Sequence, residues 1–181
     1  MTAATFIDVL KNKPITASKK SSLIAQWLGK SIPQSLSIRI GNYLETYFNT
    51  LIGENSLLHT LDTYRGNKGV WVDNEFHQVD IFACIDGQLF ARELKTNLDL
   101  DRGKKRDVLR REEAVKRGLS ERYNEPVDTR VFSPFIETSE VNGLGIVEGL
   151  AEFIDNFNLD ITVDEFTLVG KNNQVHQLLN I

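Results

Sequence analysis

The chain has 181 residues, with 41% apolar and 25% charged side chains, the balance of an ordinary globular protein and enough for one domain. A single cysteine, Cys84, excludes an internal disulfide framework, and no run approaches the roughly 18 apolar residues a membrane helix needs. The formal net charge of -4 argues against indiscriminate binding to polyanions, but the charge is unevenly spread. Arg102 to Arg117 holds eight Lys/Arg and three Asp/Glu, whereas Glu137 to Glu165 holds eight Asp/Glu and no Lys/Arg. One basic face on an acidic body is therefore expected. The opening MTAATFIDVLKNKP lacks the charge, apolar block and cleavage pattern of a signal peptide, so a cytoplasmic protein is expected.

In chain order, residues 1–34 are rich in Lys, Ser and Thr and broken by Pro14 and Pro33, with room for a short helix over Ser22 to Leu28. Leu36, Ile40, Tyr43, Leu44, Tyr47, Phe48 and Leu51 recur at spacings of three and four, which predicts an amphipathic helix stopping near Gly53. A short strand is predicted over 57–64, and Arg65 to Gly69 reads as a turn. In VDIFACIDGQLFARELKT two apolar runs flank Asp86-Gly87, a dipeptide that tolerates the positive φ of a two-residue hairpin turn. Both faces of these strands are mostly apolar, as in the interior of a covered sheet. A charged helix from Leu100 to Leu119, a strand in TRVFSPFIE and a helix from Gly145 to Phe157 follow. The expected fold class is α/β: a mixed central sheet flanked by helices, in one domain over 1–181, with a core of about 36–157 and additions at 1–35 and 158–181.

The chemistry is concentrated at the open end of that hairpin. With Asp86 and Gly87 as the loop, Ile85 faces Gln88, Cys84 faces Leu89, Phe82 faces Ala91 and Asp80 faces Glu93. Two carboxylates then meet across the strands, with Cβ atoms roughly 4.5–5.5 Å apart. Lys95 points to the same side and lies opposite Gln78. Like charges so placed destabilise a hairpin unless a cation lies between them, and Mg²⁺ takes one or two carboxylates together with water and phosphate oxygens. Lys95 is placed to orient a nucleophilic water or to stabilise developing negative charge. The implied reaction is hydrolysis of a phosphodiester.

This pattern resembles the PD-(D/E)XK nuclease superfamily, the restriction-endonuclease-like fold. Val79-Asp80 stands for the first half of the motif, with valine in place of proline, and Glu93-Leu94-Lys95 for the second. The resemblance spans about residues 39–136. It implies Asp80 and Glu93 as metal ligands for Mg²⁺, with Mn²⁺ as a substitute, the Leu94 carbonyl as a further ligand, and Lys95 as the catalytic lysine. It also implies a glutamate from the preceding helix, for which Glu45 is the match and Glu75 and Asp73 are weaker ones. The most specific expectation is a type II restriction endonuclease: a homodimer cutting double-stranded DNA at a short site, with no nucleotide cofactor and no membrane. A homing, repair or junction-resolving nuclease is the alternative within the fold, and a catalytically inactive DNA-binding module the alternative outside it.

On the charged helix, Lys104, Lys105, Arg106, Arg110 and Arg111 are the candidate phosphate contacts. The competing readings are a solvated helix with pairs such as Arg110–Glu113 and, by the resemblance, a surface between subunits. His59, His77 and His176 lack metal-ligand spacing, and His77 reads as an exposed loop residue. No glycine-rich phosphate loop is present, Cys84 reads as an inert buried thiol, and Trp27 and Trp71 read as core or interface residues.

Overall fold

The computed structural model describes residues 34–163 and Phe166. The helix expected at Ser22 to Leu28, Trp27, His176 and the last residues of the chain lie outside this range. Three helices, α1 (Gln34–Ile52), α2 (Arg102–Tyr123) and α3 (Leu150–Asn156), accompany eight strands: β1 (Asp62–Tyr64), β2 (Asn67–Val72), β3 (Glu75–Gln78), β4 (Ile81–Ile85), β5 (Gln88–Leu94), β6 (Val127–Phe132), β7 (Ser139–Val141) and β8 (Gly145–Val147). The class is mixed α/β. In place of one central sheet the described residues form three small ones, in the orders β1-β2-β3, β4-β5-β6 and β7-β8. No helix among the described residues is long and apolar enough to cross a membrane.

The β4-β5 hairpin has the register read from its turn: Ile85 pairs with Gln88, Cys84 with Leu89 and Phe82 with Ala91. Asp86 (φ 50°) and Gly87 (φ 81°) both hold the positive φ that a tight hairpin turn demands. The same strand β5 pairs in parallel with β6, from Leu89–Val127 to Leu94–Phe132, after the chain has crossed over through α2. Alternation along the strands divides the apolar side chains between two layers. Ile81, Ala83 and Ile85 meet Ile40, Leu44, Phe48 and Ile52 of α1 and Phe153 of α3 on one face. Phe82, Leu89 and Ala91 meet Val115 and Leu119 of α2 on the other. Helix α2 is also closed against the first sheet: a Cβ on Gly118 would lie 2.6 Å from the Val72 side chain, so glycine permits this approach.

Helix α1 stops at Ile52, with Gly53 at φ 61° immediately after, as its periodicity predicts. Helix α2 starts on Asp101, whose carboxylate accepts from Lys104 N–H at 2.9 Å, and ends on left-handed Asn124. Three expectations need correction. Residues 57–64 hold a strand only at Asp62–Tyr64, after a 3₁₀ turn at Leu58–Thr60. The helix expected over Gly145–Phe157 is a strand followed by a short helix. Gly145, at φ 72°, closes a tight turn between β7 and β8, and α3 starts only after Gly149, which is extended and packed so closely on the backbone of 136–138 that a Cβ there would lie 2.4 Å from the Ile136 carbonyl oxygen. His77 is not an exposed loop residue but a buried member of β3.

Candidate active site

Strand β4 begins one residue after Asp80 and β5 ends one residue before Lys95, so the motif lies where the paired strands open. A continued antiparallel ladder would send the Leu94 N–H to the carbonyl of Val79. Asp80 Oδ2 takes that N–H instead, at 2.9 Å, and Oδ1 accepts from Gln78 Nε2 at 3.1 Å. Asn49 on α1 donates to the Asp80 carbonyl at 2.9 Å and to the Glu45 carbonyl one turn back, tying helix to strand. Asn49 and Gln78 therefore position the acid, and the four-residue step from Glu45 to Asn49 was the sequence signal for the first of them.

Glu93 is not left facing Asp80 alone. Its Oε1 lies 2.7 Å from Lys95 Nζ and 2.9 Å from Arg111 Nη1 of α2. Glu45 enters from α1, and these groups, with Gln78 and Asp80, line one open cleft of about 430 Å³. Burial raises the Asp80 carboxyl to about 7, helped by the negative charge of Glu93 and opposed by the Leu94 N–H. Burial first, then the charges of Asp80 and Glu93, raises Glu45 to about 7 as well. Thus Asp80, Glu93, Lys95 and Glu45, far apart in sequence, share one cleft.

Among the described residues no three His, Cys, Asp or Glu side chains stand ready around a common point for a metal ion. The reason is visible in Glu93, whose oxygen is held by two cations. The donor set nevertheless fits a hard dication. Asp80 and Glu45, whose proton affinity is raised by burial first and by neighbouring negative charge second, are stabilised as carboxylates by any positive charge placed among them.

The five candidate phosphate contacts on α2 separate. Arg111 reaches the cleft. Arg110 instead makes a two-pronged pair with Glu75 of β3, at 2.9 and 3.2 Å, rather than with Glu113, and Arg117 pairs with Asp73, so neither Glu75 nor Asp73 joins the cleft. Lys104 folds back on Asp101 at 3.4 Å. Lys105 donates to the Asn142 carbonyl and, with Arg106, lines a separate groove near Gly143.

A second charged cluster escaped the sequence reading. Arg92, the residue before Glu93, points into the opposite layer and is fully buried. It grips both Glu148 oxygens, at 3.0 and 2.9 Å, and lies 3.0 Å from Asp128. Asn156 of α3 donates to Glu148, and Arg130 joins Asp128 to Glu152.

Compared with protein-family models, with curated proteins and with solved structures, the chain matches none.

Proposed function

We propose that this protein is a divalent-metal-dependent endonuclease that hydrolyses phosphodiester bonds of DNA. The observation that carries the reading is one cleft holding the buried Asp80 carboxylate, the Glu93–Lys95 pair and Glu45 at the open end of adjoining strands. The hairpin β4-β5 followed through a helix by a parallel neighbour, with helices on both faces, supports a restriction-endonuclease-like core.

Asp80 and Glu93, with the Leu94 carbonyl, would hold a Mg²⁺ ion, Mn²⁺ being the natural substitute. When bound, the ion supplies Lewis acidity toward a phosphoryl oxygen. Asp80 would meet such an ion pre-oriented, because the Leu94 and Gln78 donors fix its carboxylate. Lys95 and Arg111 neutralise Glu93 in the free protein. With Glu93 engaged by such an ion, Lys95 and Arg111 would be available to bind phosphate oxygens, and Lys95 would orient the attacking water. Water oxygen would bond to phosphorus as the bond to the leaving oxygen breaks, the water giving up a proton to solvent in the open cleft and the leaving oxygen taking one from it, so that a phosphomonoester and an alcohol result. Cutting both strands at a short symmetric site, the type II restriction reaction, calls for a pair of chains.

The test is digestion of a mapped linear duplex by the purified chain, with Mg²⁺ and with EDTA. Discrete fragments that need the metal and disappear in Asp80→Ala support the reading and its restriction form. Cutting confined to branched substrates replaces that form with junction resolution. No cleavage of any DNA with Mg²⁺ or Mn²⁺ overturns the enzyme and leaves a binding module.

A further inference from the structure

The outer face of the first sheet carries a cluster of rings that faces solvent. Trp71 pairs with Phe76 across β2 and β3, and Tyr64 joins them from β1. The three rings are mutually tilted, with centroids 5.1 to 5.4 Å apart. They do not form a core: Trp71 is 46% and Tyr64 39% exposed, so Trp71 is not the buried residue its type suggests. The sheet's apolar cover lies on the other side, where Val70 and Val72 meet α2. Gly69 makes the platform possible, since a Cβ there would strike the Phe76 ring at 2.7 Å. Phe76 thus lies over the strand and leaves the outward rings of Tyr64 and Trp71 as the surface.

Two features say what such a surface fits. The Arg65 guanidinium sits 5.1 Å from the Tyr64 ring centroid and is exposed. Arg110, Arg117 and Arg122 on α2, beside the same sheet, are each closed by a carboxylate, whereas Arg65 pairs with none among the described residues. A π-surface with an uncompensated cation complements a nucleotide, base against ring and phosphate against guanidinium. The face is also continuous with the cleft: Gln78 follows Phe76 on the same side of β3 and donates to Asp80. In a paired duplex the faces of the bases are occupied by their neighbours, so only an unpaired base can lie on Tyr64 or Trp71.

We infer that Tyr64 and Trp71 form a stacking platform for an unpaired nucleotide base of a strand whose phosphate is held by Arg65 and whose backbone runs toward Asp80. The inference rests on the nuclease reading for the direction of the strand, not for the platform.

The test uses the full chain as Asp80→Asn in EDTA, with a labelled oligothymidylate of about 15 nucleotides, the matching oligouridylate and a blunt duplex. Trp71→Ala and Tyr64→Ala should each weaken single-strand binding about tenfold, the loss expected for one stacked base, while Trp71→Phe stays close to the parent and duplex binding is unchanged. Comparison of the two single strands distinguishes DNA from RNA as the source of the base. A second readout leaves the platform intact: in Trp27→Phe, Trp71 is the one remaining tryptophan, and the oligonucleotide should quench its emission. Absence of quenching together with unaltered affinity in Trp71→Ala overturns the platform. Equal loss on duplex and single strand does so too. So does loss of self-association in Trp71→Ala without loss of oligonucleotide, because the face would then belong to a second copy. Metal-dependent cleavage with an inert Trp71 sinks the platform alone; stacking without any cleavage sinks the nuclease alone.

Discussion

Replacing Asp80 by asparagine should stabilise the metal-free protein, and the size of the gain can be worked from its surroundings. The fold raises this carboxyl from 3.8 to about 7. At 1.36 kcal/mol per pH unit, that rise sets a ceiling of roughly 4 kcal/mol on what the ionised group costs the fold. It is a ceiling because the asparagine amide is itself taken out of water and its second N–H is left without a partner, at about 1 kcal/mol. Asparagine keeps an oxygen for the Leu94 N–H, and its amide can donate to Gln78 once that side chain turns over. The bond to Leu94 weakens by about 1 kcal/mol on losing its charge. A net gain of about 2 kcal/mol remains at about pH 8 in EDTA, or roughly 4–8 °C in Tm for a chain of this length. Because the folded value is the raised one, the cost is absent at low pH, grows as pH passes from about 4 to 7, and is complete above 7. Parent and variant should therefore melt together near pH 4 and separate above pH 7. Saturating Mg²⁺ should reverse their order, since a ligand that binds only the native parent stabilises it by mass action. Thermal melts across this pH range settle the matter. A variant that melts below the parent in EDTA at high pH, or a difference that does not change with pH, would refute the crowded-carboxylate site.

Lys95→Met should lower the cleavage rate by about 100-fold or more while Mg²⁺ still raises Tm, because the lysine acts on the reacting groups and not on the metal; loss of the Tm response would mean that its task is to hold Glu93. Arg92→Met should cost about 3–5 kcal/mol by leaving Glu148 buried without its partner, and adding Glu148→Met should restore much of it in urea titration. Gly69→Ala should cost about 2 kcal/mol, because its methyl meets the His77 carbonyl as well as Phe76, and near-ultraviolet dichroism should report the displaced rings.

What could be read in advance follows from how local each determinant is. The hairpin was legible because two turn residues needing positive φ fix a register, and the register carries Asp80 toward Glu93 without any knowledge of the rest. Helix α1 was legible because Ile40, Leu44 and Phe48 repeat at one helical period, and that same helix brings in Glu45. Strands β7 and β8 were not, since three residues each, mostly exposed, leave no alternation to detect. The first sheet was misread for a related reason. Its β1 and β2 are joined by only Arg65 and Gly66, and the polar run Asn67-Lys68-Gly69, read as part of the turn, already belongs to β2. The partners of Arg110, Arg111 and Arg92 lie 35, 18 and 56 residues away, and helix spacing cannot supply them.

Arg92 and Glu93 are neighbours pointing into opposite layers, and the arginine's bond to Glu148 has a consequence for the acid beside it. A one-residue slip of β5 would turn Arg92 toward Val115 and Leu119 and press Glu93 against Phe157. Either change strands a charge in an apolar layer. Strand β5 can thus be assembled in one phase only, and the ion pair acts as a key that fits a single notch. The accuracy with which Glu93 and Lys95 are presented to the cleft is set from the far side of the sheet, by residues that no substrate in the cleft would touch.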